Sequence, residues 1–193
     1  MCTSLSAVAL AKVGLRFRFF GPKGHFPGVD GKTYTLSERE CKMRIGVIAD
    51  THGKVSPEVF TAFAGVSLIL HAGDIGGDGI ITELETIARV VAVRGNTDKD
   101  LASPFFPDTR RLIVEGVELF LCHEPFRAVS LSPMPQVVIH GHTHLARREI
   151  IEHTLWFNPG SASITKYEHD ALTVGILLLR DGCAEGEIVR LRA

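Results

Sequence analysis

Seven residues able to hold a metal ion stand at the ends of successive apolar runs in this chain. Asp50 and His52 follow the run 44–49, Asp74 follows 67–72, and Asn96 follows 90–93. His123 follows 117–122, and His142 with His144 follow 137–139. Imidazole is the commonest neutral metal ligand near pH 7. Two carboxylates, one amide oxygen and four imidazoles exceed what a single ion with an open position takes. They fit two transition metals that share a carboxylate. Taken singly, Gly73-Asp74 and Gly95-Asn96 are ordinary turn pairs; their recurrence at successive strand ends carries the inference. In an extended segment residues two apart point the same way, so His142 and His144 are expected to face one site.

The elements that must position these residues alternate from Met43 onward. Residues 44–49, 67–72 and 90–93 read as short apolar strands. Between them, Ser56-Pro57 opens a helix to about residue 64, and Asp78 is expected to cap a second over 80–88. Continuous apolar strands alternating with helices argue for a buried parallel sheet. In open sheets of that kind sites form beyond the carboxyl ends of the strands. The second half is richer in strands. Residues 111–114 and 117–122 read as a hairpin around Glu115-Gly116. Further strands are expected at 137–139, 148–151, 155–157, 171–179 and 187–191, the last two flanking Asp181-Gly182. The fold class is α/β, or α+β by some schemes: two packed mixed sheets flanked by helices in a four-layer sandwich.

Composition sets the outer bounds. The 193 residues are 45% hydrophobic with a formal net charge of −1, enough for one domain with a full core and short for two. The near-zero charge argues against a stable nucleic-acid partner or an anionic membrane surface. The longest apolar runs are far too short to span a bilayer. Cys2, Cys41, Cys122 and Cys183 are scattered without a CxxC pair, so neither a zinc ribbon nor a disulfide framework is indicated. A reduced, cytoplasmic location is the default. Residues 1–42 differ from the rest, with Gly21-Pro22 and Pro27-Gly28 breaking any element. They are expected to be a poorly ordered extension, or the product of a start read too early, ahead of a domain spanning 43–193.

With these motifs in order, the chain from Met43 onward resembles the calcineurin-like metallophosphoesterases. The matching signatures are Asp50-x-His52, Gly73-Asp74, Gly95-Asn96-x-Asp98, His123 and Gly141-His142-x-His144. Asn158-Pro159-Gly160-Ser161 is shared with the family's small phosphodiesterase branch. The resemblance implies a phosphoric diester hydrolase acting through a metal-bridging hydroxide at a binuclear site. It implies that Asp50, His52, Asp74 and His144 hold one ion, that Asp74, Asn96, His123 and His142 hold the other, and that Asp74 bridges them. Asn96 and His123 would also assist the reaction, with Asp98 orienting a neighbour. Manganese is the expected metal, with nickel, zinc, iron(II) and cobalt as alternatives. The expected partner is a small phosphodiester, and a homo-oligomer is compatible with the sequence.

Two positions depart from the family pattern. Thr97 stands where many members carry a leaving-group histidine, and a threonine hydroxyl is a poor proton donor at neutral pH. Glu124 stands where glycine is usual and puts an acid beside the pocket. The alternative reading is a protein-binding scaffold resembling the retromer subunit built on this fold. A metallo-β-lactamase-type site is excluded, since Leu145, Ala146 and Arg147 follow His144 where HxHxDH would need an acid and a further histidine.

Overall fold

The computed structural model describes residues 25–27, 33–35, 43–98, 106–164 and 171–191. The chain divides into two compact units, Met1–Cys41 and Lys42–Ala193. Within the first, β1 (His25–Pro27) and β2 (Thr33–Thr35) pair antiparallel as a short ribbon.

The second unit is built on two five-stranded sheets. The first comprises β3 (Met43–Ile48), β4 (Leu68–His71), β5 (Val90–Ala92), β11 (Thr173–Arg180) and β12 (Cys183–Arg190). Its order is β12-β11-β3-β4-β5, with β3, β4 and β5 parallel and β11 and β12 antiparallel. The second comprises β6 (Thr109–Val114), β7 (Val117–Cys122), β8 (Val137–Ile139), β9 (Arg147–Ile151) and β10 (Thr154–Asn158). Its order is β6-β7-β8-β10-β9, parallel at the centre and antiparallel at both edges.

The two-residue side-chain period of a strand explains how the layers close. Ile45, Val47 and Ala49 point between the sheets, where they meet Leu119, Leu121, Ile139 and Phe157. Ile48 and Ile69 point the other way, into a layer made by the helices α1 (Pro57–Ala62) and α2 (Asp78–Glu85). Burial on both faces is why β3 reads as an unbroken apolar run. Gly46 is part of the same arrangement: a Cβ there would meet the Phe63 ring at 3.0 Å. Each large side chain so buried contributes about 1.5–3 kcal/mol. Phe120, Val138 and Trp156 line the outer face of the second sheet, against Ala128 of the 3₁₀ turn Pro125–Ala128.

Some boundaries differ from the sequence reading for local reasons. Gly77, not Asp78, is the N-cap of α2, and Asp78 is its first helical residue. The helix ends at Glu85 rather than near 88. β12 begins at Cys183, well before 187, because its pairing with β11 runs to Arg180↔Cys183 at the turn. The left-handed pair Asp181-Gly182, with φ of 50° and 74°, makes that tight hairpin. Cys122 is a buried free thiol, whereas Cys183 is disulfide-bonded, which the scattered cysteine spacing did not indicate. No helix among the described residues is long and apolar enough to cross a membrane.

Candidate metal centre

The loops that leave β3, β4, β5, β7 and β8 are drawn together by backbone hydrogen bonds. The Asp50 N–H donates to Gly73 O at 3.0 Å, and the His52 N–H donates to Asp74 O at 2.9 Å. The Gly141 N–H donates to His123 O at 3.0 Å, joining the two loops of the second sheet. Five of the seven candidate ligands have left-handed backbones: Asp50, His52, Asp74, His142 and His144, with φ between 43° and 70°. Asp and His tolerate this region better than most residues, yet each costs about 1–2 kcal/mol. Such strain persists where the surroundings over-determine it, and it clusters at functional sites.

That backbone geometry corrects one expectation. His142 and His144 both reach this one centre, but from left-handed backbones rather than the extended segment expected, and they meet different partners. His142 Nδ1 lies 2.9 Å from Asn96 Oδ1, while His144 Nε2 lies 3.3 Å from Asp50 Oδ1 and 3.5 Å from His52 Nε2. Period-two alternation does not survive left-handed backbone on both sides of Thr143.

The other six sequence-chosen residues lie in one cluster with Asp74. Its Oδ2 is 3.8 Å from His52 Nε2, and its Oδ1 is 3.4 Å from His123 Nε2. Asp50, His52 and His144 form one compact cluster of ligand atoms, and Asp50, Asp74 and His123 form a second. Asp50 therefore belongs to both, where the resemblance gave it to one ion. Asn96 Oδ1 lies between His123 Nε2, at 3.0 Å, and His142 Nδ1.

The donor chemistry fits cations. Both carboxylate oxygens of Asp50 are buried and find no hydrogen-bond partner among the described residues, and such a group is costly unless something positive meets it. Ligand atoms around an ion with bonds of ~2.1 Å lie roughly 3.0–3.5 Å apart, close to the 3.3 and 3.5 Å that separate His144 Nε2 from Asp50 and His52. His123 Nδ1–H donates to Ala72 O at 2.7 Å, which fixes the tautomer and turns Nε2 toward Asp74 and Asn96.

Burial pushes the Asp50 carboxyl up to about 7; nearby His123 lowers it and Asp74 raises it further. Burial would raise Asp74 too, but His123 and the Thr97 N–H, at 3.0 Å, hold it well below the usual carboxylate range. Burial would lower His123, yet Asp74 and the Ala72 carbonyl raise it. His144 is lowered by burial and by the neighbouring His52.

Around this cluster stands a positioning layer. Asp98 is buried, and its carboxylate accepts N–H groups from Ile75 and Gly76 at 3.0 Å and from Gly95 at 2.8 Å. Its role is thus to hold two loop backbones, not to face a substrate. Asn158 Nδ2 donates to Gly141 O at 3.1 Å and Thr143 Oγ1 at 3.0 Å, pinning the His142–His144 loop. Sequence reasoning missed Thr51 and Ser163. Ser161 and Ser163 hydroxyls both donate to Asp50 O, at 3.0 and 2.9 Å. The Ser163 contact joins residues 113 apart in the chain, and no local pattern marks it.

Comparison with known proteins gives a consistent picture. Residues 43–182 match the calcineurin-like phosphoesterase superfamily domain. A probable metallophosphoesterase of Methanothermobacter thermautotrophicus is 34% identical over 165 residues, a match covering 78% of this chain and 94% of that protein. The solved structure of Yfce, a phosphoesterase from E. coli, superposes with a TM-score of 0.58 at 26% identity, covering 78% of this chain and 100% of that one. Vacuolar Protein Sorting 29 from Cryptosporidium parvum shares the fold, with a TM-score of 0.60 at 16% identity over 77% of this chain and 97% of that one.

Proposed function

Since the chain belongs to the calcineurin-like phosphoesterase superfamily, we propose that it is a phosphodiesterase working with two divalent ions, manganese foremost. Asp50, His52 and His144 would hold one ion, and Asn96, His123 and His142 the other, with Asp74 between. The observation that carries this reading is the division of Asp74, whose Oδ2 faces His52 while its Oδ1 faces His123. A carboxylate serving one ion would have no reason to present its two oxygens to separate imidazole sets. Two such ions, when bound, lower the pKa of water and neutralise charge on phosphoryl oxygens.

The chain's own residues shape what can react. Asn96 and His123 border the place where a phosphoryl group would sit, and their mutual contact at 3.0 Å keeps both oriented. Asp98 keeps the loop bearing Asn96 in place through the Gly95 N–H. Thr97 lies exposed at the same loop and offers only a hydroxyl, a weak proton donor. Departing groups that need little protonation are therefore favoured, so aryl diesters should react well and alkyl monoesters slowly. Five left-handed ligand positions, kept despite their cost, favour hydrolysis over a non-catalytic scaffold.

The test joins metal content to rate. Purified protein loaded with Mn²⁺ should hold two ions per chain and cleave bis(p-nitrophenyl) phosphate. Asp74→Asn should lower the occupancy of both positions and bring the rate to background. Retention of two ions and a normal rate by Asp74→Asn would sink the binuclear reading.

A further inference from the structure

A cavity of about 370 Å³ adjoins the candidate centre at Asn96 and is lined by Arg94, Gly95, Asn96, Asp108, Glu124 and Arg127. Its charged groups form one connected chain. The Arg94 Nε donates to Asp108 Oδ1, and the Arg127 Nη1 reaches Asp108 Oδ2 at 3.5 Å. Arg127 also donates from Nε to Glu124 Oε2 at 3.0 Å. Each guanidinium is thus matched by a carboxylate. The Arg94 guanidinium beside Asp108 holds that carboxyl below its usual range, so it stays ionised at neutral pH.

Local structure fixes the geometry. Glu124 is the N-cap of the 3₁₀ turn Pro125–Ala128, directly after the candidate ligand His123, and Arg127 lies within that turn. The Arg127 guanidinium also sits 5.6 Å from the Phe126 ring centre. Among the described residues, two cations and two anions line the cavity, so their formal charges cancel. Unpaired arginines beside a phosphoryl site would attract a dianion more than a monoanion, roughly in proportion to charge. Pairing removes that advantage.

We propose that Glu124 is a specificity-determining residue that cancels Arg127 and so biases the site toward singly charged diesters over doubly charged monoesters. This rests on the phosphodiesterase reading of the adjoining centre. The side chains involved are partly exposed, with Arg94 at 53% and Arg127 at 37%, so solvent screens the effect to a moderate size.

The test uses Mn²⁺-loaded full-length protein with two esters that release the same p-nitrophenolate, so leaving-group strength cancels. The quantity read is kcat/KM for p-nitrophenyl phosphate over that for bis(p-nitrophenyl) phosphate. Glu124→Gln should raise this ratio roughly threefold to tenfold, and Arg127→Gln should lower it by a similar factor. The double variant should return to within about twofold of wild type, because neutrality is restored. Calorimetric binding of inorganic phosphate at pH 8, where the dianion dominates, should tighten in Glu124→Gln and weaken in Arg127→Gln. Ratios and phosphate affinities that stay level across the series overturn the proposal. If wild type cleaves neither ester, the phosphodiesterase reading fails, and the phosphate affinities still decide the role of Glu124.

Discussion

His71 carries its imidazole into the interior three residues before Asp74, and its hydrogen bonds define its tautomer. Nδ1 accepts the Gly73 N–H at 3.2 Å, so Nε2–H donates to Thr51 Oγ1 at 2.9 Å, and that hydroxyl donates to Ile75 O at 2.9 Å. Burial lowers its pKa from 6.5 to about 4, opposed by the nearby Asp98 charge. The unfolded chain therefore binds a proton at this residue at higher pH than the folded one. Stability from the neutral ring is complete above about pH 6.5, falls as pH drops from 6.5 to 4, and levels off below. The full amount is about 3 kcal/mol. In EDTA, the Tm of wild type should fall between pH 7 and pH 4 by roughly 5–10 °C more than that of His71→Gln. Parallel Tm curves for the two proteins would contradict a buried neutral His71. His71 falls within the apolar run 67–72, outside the seven candidate ligands. Its tautomer is not legible there, because Thr51 and Ile75 reach it only through the fold.

The loops after β4 and β5 work as a pair. Asp98 gathers N–H groups from both, and Gly95 lets them touch: a Cβ there would lie 2.0 Å from Asp74 Oδ1 and 2.3 Å from Asp74 N. Neither atom can yield without moving the carboxylate that faces both imidazole sets. Gly95→Ala should therefore leave the fold intact while weakening Mn²⁺ binding by roughly 10–100-fold, the scale of losses when ligand support is removed. Gly79→Ala is the control, since nothing among the described residues lies within 4 Å of a Cβ there and alanine is the better helix residue. Calorimetric titration of both variants with Mn²⁺ decides it, and wild-type affinity in Gly95→Ala would refute the close-approach argument. Gly95-Asn96 is readable in the sequence as a turn. That the turn must press against Asp74 is not, because the contact crosses from one strand end to the next.

At the scale of the molecule, the two sheets and the converging loops all lie within the unit Lys42–Ala193. We expect a chain beginning at Met43 to retain both its Tm, within about 3 °C, and its Mn²⁺ content. Both proteins are compared in the same reducing buffer. A Tm lower by several degrees corresponds to roughly a kcal/mol or more of lost packing and would show that residues 1–42 belong to the fold.

Read alone, the amino-acid order determined the strand-loop-helix rhythm, the two-sheet class and which Asp, His and Asn side chains stand at the strand ends. It could do so because strand ends in a parallel sheet converge whatever the loop details, and because Asp, His and Asn are the side chains metal chemistry needs. Tertiary structure alone decided the directions. It gave His142 and His144 different partners, gave Asp50 a place in both clusters and assigned Asp98 to backbone amides. It also drew Arg94, Asp108, Glu124 and Arg127 into one neutral wall. Each of those outcomes depends on left-handed backbones or on contacts between distant residues, and neither leaves a period in the sequence.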